Sequence, residues 1–375
     1  MPTPSPAEVE RRYQNIRSRM QSENVDALLV CGNEYTGFEG AVRYVSGFEI
    51  VHRYAYLLLP LAGDPTLLFP SEARWIGDKS KPWVKNHVWA DVPGQWLRGH
   101  AEERHWRRVA VCGLDYIMPV RDYRELQRGS FELLPFDFQF DLARAVKSAE
   151  ELLCVRDSME IILEGFHKLV EAYQPGKTEA EIMAPAVERF FARGAGARMM
   201  NIVLSGSHGE AQAHFKVPGS RKVQADDLLL YSLEITGEDG YWVEFSRPLI
   251  RAGLSERTAA MAAIYPEALE AARCLMREGE LASAVHRAAA EIFARHGFRL
   301  GHLSGHSLGM TMIEHPAIGA NSDVELRENM ILSLHPQVVD PDGTVCLYTQ
   351  DTYRVGEKEG ERLAAVPWQV YGQGQ

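Results

Sequence analysis

The tetrapeptide Ser148-Ala149-Glu150-Glu151 divides the sequence into two unlike parts. A serine hydroxyl can accept a backbone N–H of the first helical turn, and the glutamate three residues on can reach back to the serine N–H. The segment therefore reads as a capping box that opens a helix. That helix is expected to run to about Tyr173, where Pro175-Gly176 stops it. Thr178 and Glu181 form a second capping box, and the helix behind it should end at Gly194-Ala195-Gly196. The preceding part is patterned differently. Val9, Tyr13, Ile16 and Met20 give one apolar helical face over 7–22. Short apolar runs then follow at Val25–Cys31, Tyr54–Leu59, Thr66–Phe69 and Val109–Cys112, separated by turn residues such as Gly32-Asn33 and Gly63-Asp64-Pro65. A chain of 375 residues has room for two domains. The change of pattern places them at 1–147, a mixed α/β domain, and 148–375.

Within the second part, Leu228–Ile235 reads as a buried strand and Tyr241–Leu249 as its antiparallel partner. Helices are expected over Ser255–Met276 and Leu281–His296, and further strands near His306, at Met330–Val339 and at Val345–Val355. The fold class is α+β. A formal charge of −11 without a long Lys/Arg block argues against nucleic acid as a partner. The first residues lack the apolar core of a signal peptide, and runs such as Tyr54–Leu61 are too short to span a bilayer, so no membrane partner and a cytoplasmic location are expected. Cys31, Cys112, Cys154, Cys274 and Cys346 are odd in number, scattered and without a CxxC pair, so they read as small buried apolar residues.

Several segments, in order along the chain, carry a resemblance. The opening RRYQNIRSRMQSENVDALLVCGNEYTGFEGAVRYVSGF has a helix, a DALLV-type strand, an Asn turn and then Tyr and Gly-Phe. KSAEELLCVRDSMEI, PGKTEAEI, GHSLGM, ENMILSLHP and TQDTYRV follow in register. Together they resemble the creatinase, prolidase and aminopeptidase P family. The resemblance implies a pita-bread C-terminal domain behind a smaller creatinase-type N-terminal α/β domain, a small-molecule substrate and a homodimer.

Peptidases of this family hold two divalent metals with Asp, Asp, His, Glu and Glu. Carried over by position, those ligands fall at Leu233, Glu244, His306, His335 and Gln350. Glu234 is the only acidic neighbour of Leu233. The set is degenerate, because a two-metal hydrolase needs bridging carboxylates to hold its ions about 3.5–4 Å apart. Leucine cannot ligate, and glutamine cannot bridge as an anion.

Three readings follow. In the first, as in creatinase, no metal is used. His214, in Ala213-His214-Phe215, would transfer protons with Glu244 and His306 during hydrolysis of a C–N bond in a small amino- or amide-bearing substrate. In the second, Glu244, His306 and His335, with Gln350 as a weak fourth ligand, hold a single Fe, Mn or Zn for hydrolytic, lyase or oxidative chemistry. In the third, the chain is a binding module without catalysis. A structural alternative pairs Glu244 with Arg247 as an ion pair and makes Asp351 a turn or salt-bridge group. Where the family has a second histidine this chain has Ile313, with His315 two places later; His208 and His302 are further candidates.

Overall fold

The computed structural model describes residues 4–196 and 198–372. It resolves into two compact units, one reaching to Ala145 and including Gly309–Met312, the other comprising Val146–Leu308 and the chain from Ile313 onward. In the first unit a six-stranded sheet runs in the order Asn86–Ala90, Thr66–Pro70, Tyr54–Pro60, Ala27–Asn33, Arg108–Cys112, Glu132–Pro135. The strand Ala27–Asn33 is antiparallel to Tyr54–Pro60 and parallel to Arg108–Cys112, and it is buried along almost its full length. That continuous burial explains why ALLVC reads as an unbroken apolar run rather than an alternating one. The helix Pro6–Ser22 starts at Ser5, whose hydroxyl accepts the Glu8 N–H at 3.2 Å, and it buries Tyr13, Ile16 and Met20.

The second unit opens with the helix Ala149–Ala172, and both halves of the Ser148/Glu151 capping box are made. Thr178 and Glu181 cap Glu179–Ala192 in the same way. Two further helices, Glu256–Cys274 and Ala282–Arg295, accompany three small antiparallel sheets. One has the order Trp242–Phe245, Leu228–Thr236, Met199–Gly206. Another has the order Glu314–Ile318, Gly305–Ser307, Ile331–Leu334, Asp351–Arg354, Glu361–Arg362. The partner of Leu228–Thr236 is shorter than its apolar pattern suggests, Trp242–Phe245 only. Pairing resumes further on as a single bridge between Leu229 and Leu249.

One sequence expectation and one alternative are corrected here. Cys31, Cys112 and Cys346 are buried, but Cys154 and Cys274 are partly exposed on helices. Arg247 does not pair with Glu244. Residues three apart on a strand point to opposite faces, and Arg247 instead meets Asp351 at 2.9 Å, with both side chains fully buried. Its remaining N–H groups donate to the carbonyls of Ser246, Gln350, Val366 and Pro367. Among the described residues no helix is long and apolar enough to cross a membrane.

Candidate metal centre

Glu244 sits in the strand Trp242–Phe245, directly opposite Glu234 of Leu228–Thr236. Side chains of directly opposed residues share a face of the sheet, so two carboxylates lie together there. Leu233, the position that the family pattern assigned to an aspartate, is paired with Phe245 and lies on the other face, fully buried. The acidic group that reaches the cluster is thus Glu234, one residue later. The signal was present in the sequence: Ser232, Glu234 and Thr236 are polar residues at alternate positions of a largely apolar strand, and Glu234 is the acidic one.

His306 comes from Gly305–Ser307, which pairs with Ile331–Leu334 so that His306 faces Ser333. A Cβ on Gly305 would fall 1.9 Å from the Ser333 carbonyl oxygen, so only glycine lets the two strands meet here. The His306 Nδ1–H donates to the Ser307 carbonyl at 3.1 Å. This assigns the lone pair to Nε2, which stands 3.5 Å from Glu244 Oε1. His335 follows the strand Ile331–Leu334, and its backbone N–H is tied to the Ser304 carbonyl at 2.7 Å. Its ring lies 5.1 Å from that of His306. His335 Nδ1 is buried without a hydrogen-bond partner. Ligand atoms of Glu244, His306 and His335 all fall within 4.8 Å of one another.

The second oxygen of Glu244 is already engaged. Ser333 Oγ–H and Gln350 Nε2–H both donate to Oε2, the latter at 2.9 Å. Gln350 Nε2 also donates to Glu234 Oε1 at 3.3 Å, while Ser232 reaches Gln350 Oε1 and Glu234 Oε1. Thr352 locks the backbone of Glu244 through two bonds of 2.9 Å. Burial pushes the Glu244 carboxyl up to about 7, and the Ser333 and Gln350 hydrogen bonds pull against that rise. Burial and the nearby Glu244 charge push Glu234 upward too. Burial pushes His306 down, and His335 well down, with His306 and His302 adding to the latter effect. Both imidazoles are thereby held neutral, the form that ligates.

The residues present therefore fit one ion. Two imidazoles and one free carboxylate oxygen converge, and one buried ring nitrogen has no other use. They do not fit two ions, because Leu233 offers no ligand and Gln350 presents N–H groups where a bridging carboxylate is needed. Gln350 belongs to the cluster through Glu244 and Glu234.

His214 lies elsewhere in the same unit. It is exposed, just after the short strand Ala211–Gln212, and lines a cavity of about 860 Å³ with Ser205, Ser207, Phe215, Lys216 and Arg221. It is not among the groups hydrogen-bonded to Glu244. The cavity wall is linked to the cluster by rings: Phe215 lies edge-on to Tyr348 at 4.9 Å, and Tyr348 lies 6.0 Å from His335. His302, whose Nδ1 donates to the Leu303 carbonyl, is 5.6 Å from His335. Ile313 and His315 are both exposed, and His208 is exposed beside Asp226.

Comparison with known proteins agrees with this architecture. Residues 153–357 match Metallopeptidase family M24, and residues 12–146 match the Creatinase/Prolidase N-terminal domain. A Xaa-Pro dipeptidase of Lactobacillus delbrueckii subsp. lactis is 26% identical over 325 residues, 82% of this chain and 86% of that protein. A Xaa-Pro dipeptidase of Pyrococcus horikoshii is 23% identical over 362 residues, 95% of this chain and 97% of the other. The crystal structure of a prolidase from Thermococcus sibiricus superposes with a TM-score of 0.83 at 21% identity, covering 96% of this chain and 98% of that one. The chain belongs to metallopeptidase family M24, with a creatinase/prolidase N-terminal domain ahead of its pita-bread domain.

Proposed function

We propose that this protein hydrolyses a C–N bond in a small peptide-like or amide-bearing molecule, using one divalent ion held by Glu244, His306 and His335. The observation that carries this reading is the convergence of ligand atoms from those three buried side chains, one of which, His335, has a buried ring nitrogen without a hydrogen-bond partner. Relatives named as Xaa-Pro dipeptidases support the substrate class. An ion bound there would supply Lewis acidity and a water molecule acidified toward neutral pH. The chain's own contribution is the orientation of the donors. Ser333 and Gln350 hold Glu244 Oε2, which leaves Oε1 turned toward His306. The Ser307 carbonyl fixes the His306 tautomer. Tyr348 packs 6.0 Å from the His335 ring and 4.9 Å from Phe215, the latter on the wall of the large cavity. The metal-free scheme has less support, since Glu244 takes its hydrogen bonds from Ser333 and Gln350 and not from His214.

The test is a purified chain loaded separately with Mn²⁺, Fe²⁺ or Zn²⁺ and assayed against a panel of dipeptides, Xaa-Pro dipeptides included, and simple amides. Hydrolysis with at least one ion, lost together with the metal in His335→Ala, is the expected result. Undiminished hydrolysis by a His335→Ala protein that carries no metal would overturn it.

A further inference from the structure

The family to which the chain belongs implies a pair of ions, and the geometry departs from that in a particular way. Gln350 lies between Glu234 and Glu244 with one amide N–H directed at each, at 3.3 and 2.9 Å. The reverse orientation of the amide would set its oxygen against two carboxylates, so the donor orientation is the one that the network allows. Its own oxygen accepts from Ser232. Ser333 adds an O–H as the second donor to Glu244 Oε2. The oxygen of Glu244 that points away from His306 is thus already covered by hydrogens carrying partial positive charge. A cation placed there would have to displace both donors. The opposite carboxylate, Glu234, is buried and is reached by the same amide.

We propose that Gln350 sets the metal count of this centre: its side-chain amide occupies the place of a second cation between Glu234 and Glu244, so the site takes one ion and Glu234 is not one of its ligands. The proposal rests on the single-ion reading above and adds to it the residue that restricts the centre to one. Replacing the amide NH2 by a carboxylate oxygen keeps the shape, removes both N–H donors and leaves three carboxylates facing one another. Such an arrangement of hard oxygen ligands recruits a cation.

The experiment is metal stoichiometry, read by plasma mass spectrometry after saturation with Mn²⁺ and desalting, with circular dichroism as a check of folding. Wild type is expected to hold one Mn²⁺ per chain, Glu234→Gln one, and Gln350→Glu two. Two ions in the wild type would overturn the proposal while leaving a metal-dependent hydrolase standing. A folded Gln350→Glu protein that still holds one ion would overturn it as well. Should Gln350→Glu not fold, Glu234→Gln decides: loss of the ion makes Glu234 a ligand and ends the argument. A wild type that takes up no ion under saturation would sink both this count and the reading of the site itself.

Discussion

Glu234 and Glu244 stand directly opposite each other on antiparallel strands, with the amide of Gln350 donating to both. Two buried carboxylates so placed repel each other unless something positive lies between them. Here N–H and O–H dipoles of Gln350, Ser232 and Ser333 are directed at the pair. The same donors determine which oxygen of Glu244 stays available, so the electrostatics of the pair and the ligand geometry of the site are one arrangement.

Ser333 is the simplest probe of it. Its hydroxyl donates to Glu244 Oε2 and is wholly buried, but it is not a ligand. Ser333→Ala should leave the fold intact and let the carboxylate turn. Loss of an outer hydrogen bond to a ligating group typically costs about 10–100-fold in metal affinity. Titration of the metal-free protein with Zn²⁺ in competition with a chelator measures this, and an unchanged affinity would mean that Gln350 alone holds Glu244.

The Arg247–Asp351 pair gives a prediction about stability. Both side chains are completely buried, and Arg247 also gathers the carbonyls of Gln350, Val366 and Pro367. Removing one partner leaves an uncompensated buried charge, at a cost of about 3–5 kcal/mol. Arg247→Met should therefore lower the urea midpoint sharply. The double variant Arg247→Met/Asp351→Leu should recover part of that loss. A double variant less stable than Arg247→Met would show that the carbonyl contacts, not the charge pair, carry the stability.

Both capping boxes and the apolar strands were legible in the sequence because each depends on local chemistry, whereas the histidines at 306 and 335 were picked out only through the family resemblance. A cap is set by a residue and its neighbour three positions on; a buried strand is set by its composition. What was not legible depends on register. The family's first aspartate falls at Leu233 by position, with Glu234 as its only acidic neighbour, and which of these two adjacent strand residues faces the site is decided by pairing across the turn between Thr236 and Trp242. The alternative Glu244–Arg247 pair fails for the same reason, an odd spacing on an extended chain. Glu244, His306 and His335 do converge, and that became visible only once the separate sheets carrying them were in place.

In the first unit, Glu8 offers a pH-dependent test. Burial pushes its carboxyl up, but hydrogen bonds and charge from Arg11 and Arg12 more than reverse this, so the group lies below its ordinary value of 4.5. A carboxyl depressed in the folded state binds protons more readily when unfolded. Its contribution is therefore complete above 4.5 and is lost as pH falls through the lower folded value. Glu8→Gln, which keeps an acceptor oxygen but removes the negative charge that Arg12 meets at 2.7 Å, should destabilise by about 1.5–3 kcal/mol at neutral pH. The gap to wild type should narrow steadily as urea denaturation is repeated below pH 4.5. A gap independent of pH would assign the loss to packing instead.

His214 separates the two chemistries that the sequence left open. It is exposed on the cavity wall, and His214→Ala should change stability by no more than about 0.5 kcal/mol. With an ion held by Glu244, His306 and His335, the variant should keep its metal and most of its kcat. Any loss should appear in KM, since an exposed ring on the wall of the cavity can touch a substrate without taking part in bond cleavage. If His214 is instead the proton carrier, removing it should lower kcat by about 100-fold or more at unchanged metal content. Steady-state kinetics on the first hydrolysed substrate, with metal content measured on the same preparation, therefore settles where the proton transfer occurs. A collapse of kcat at full metal occupancy would move the chemistry from the buried cluster to the cavity wall.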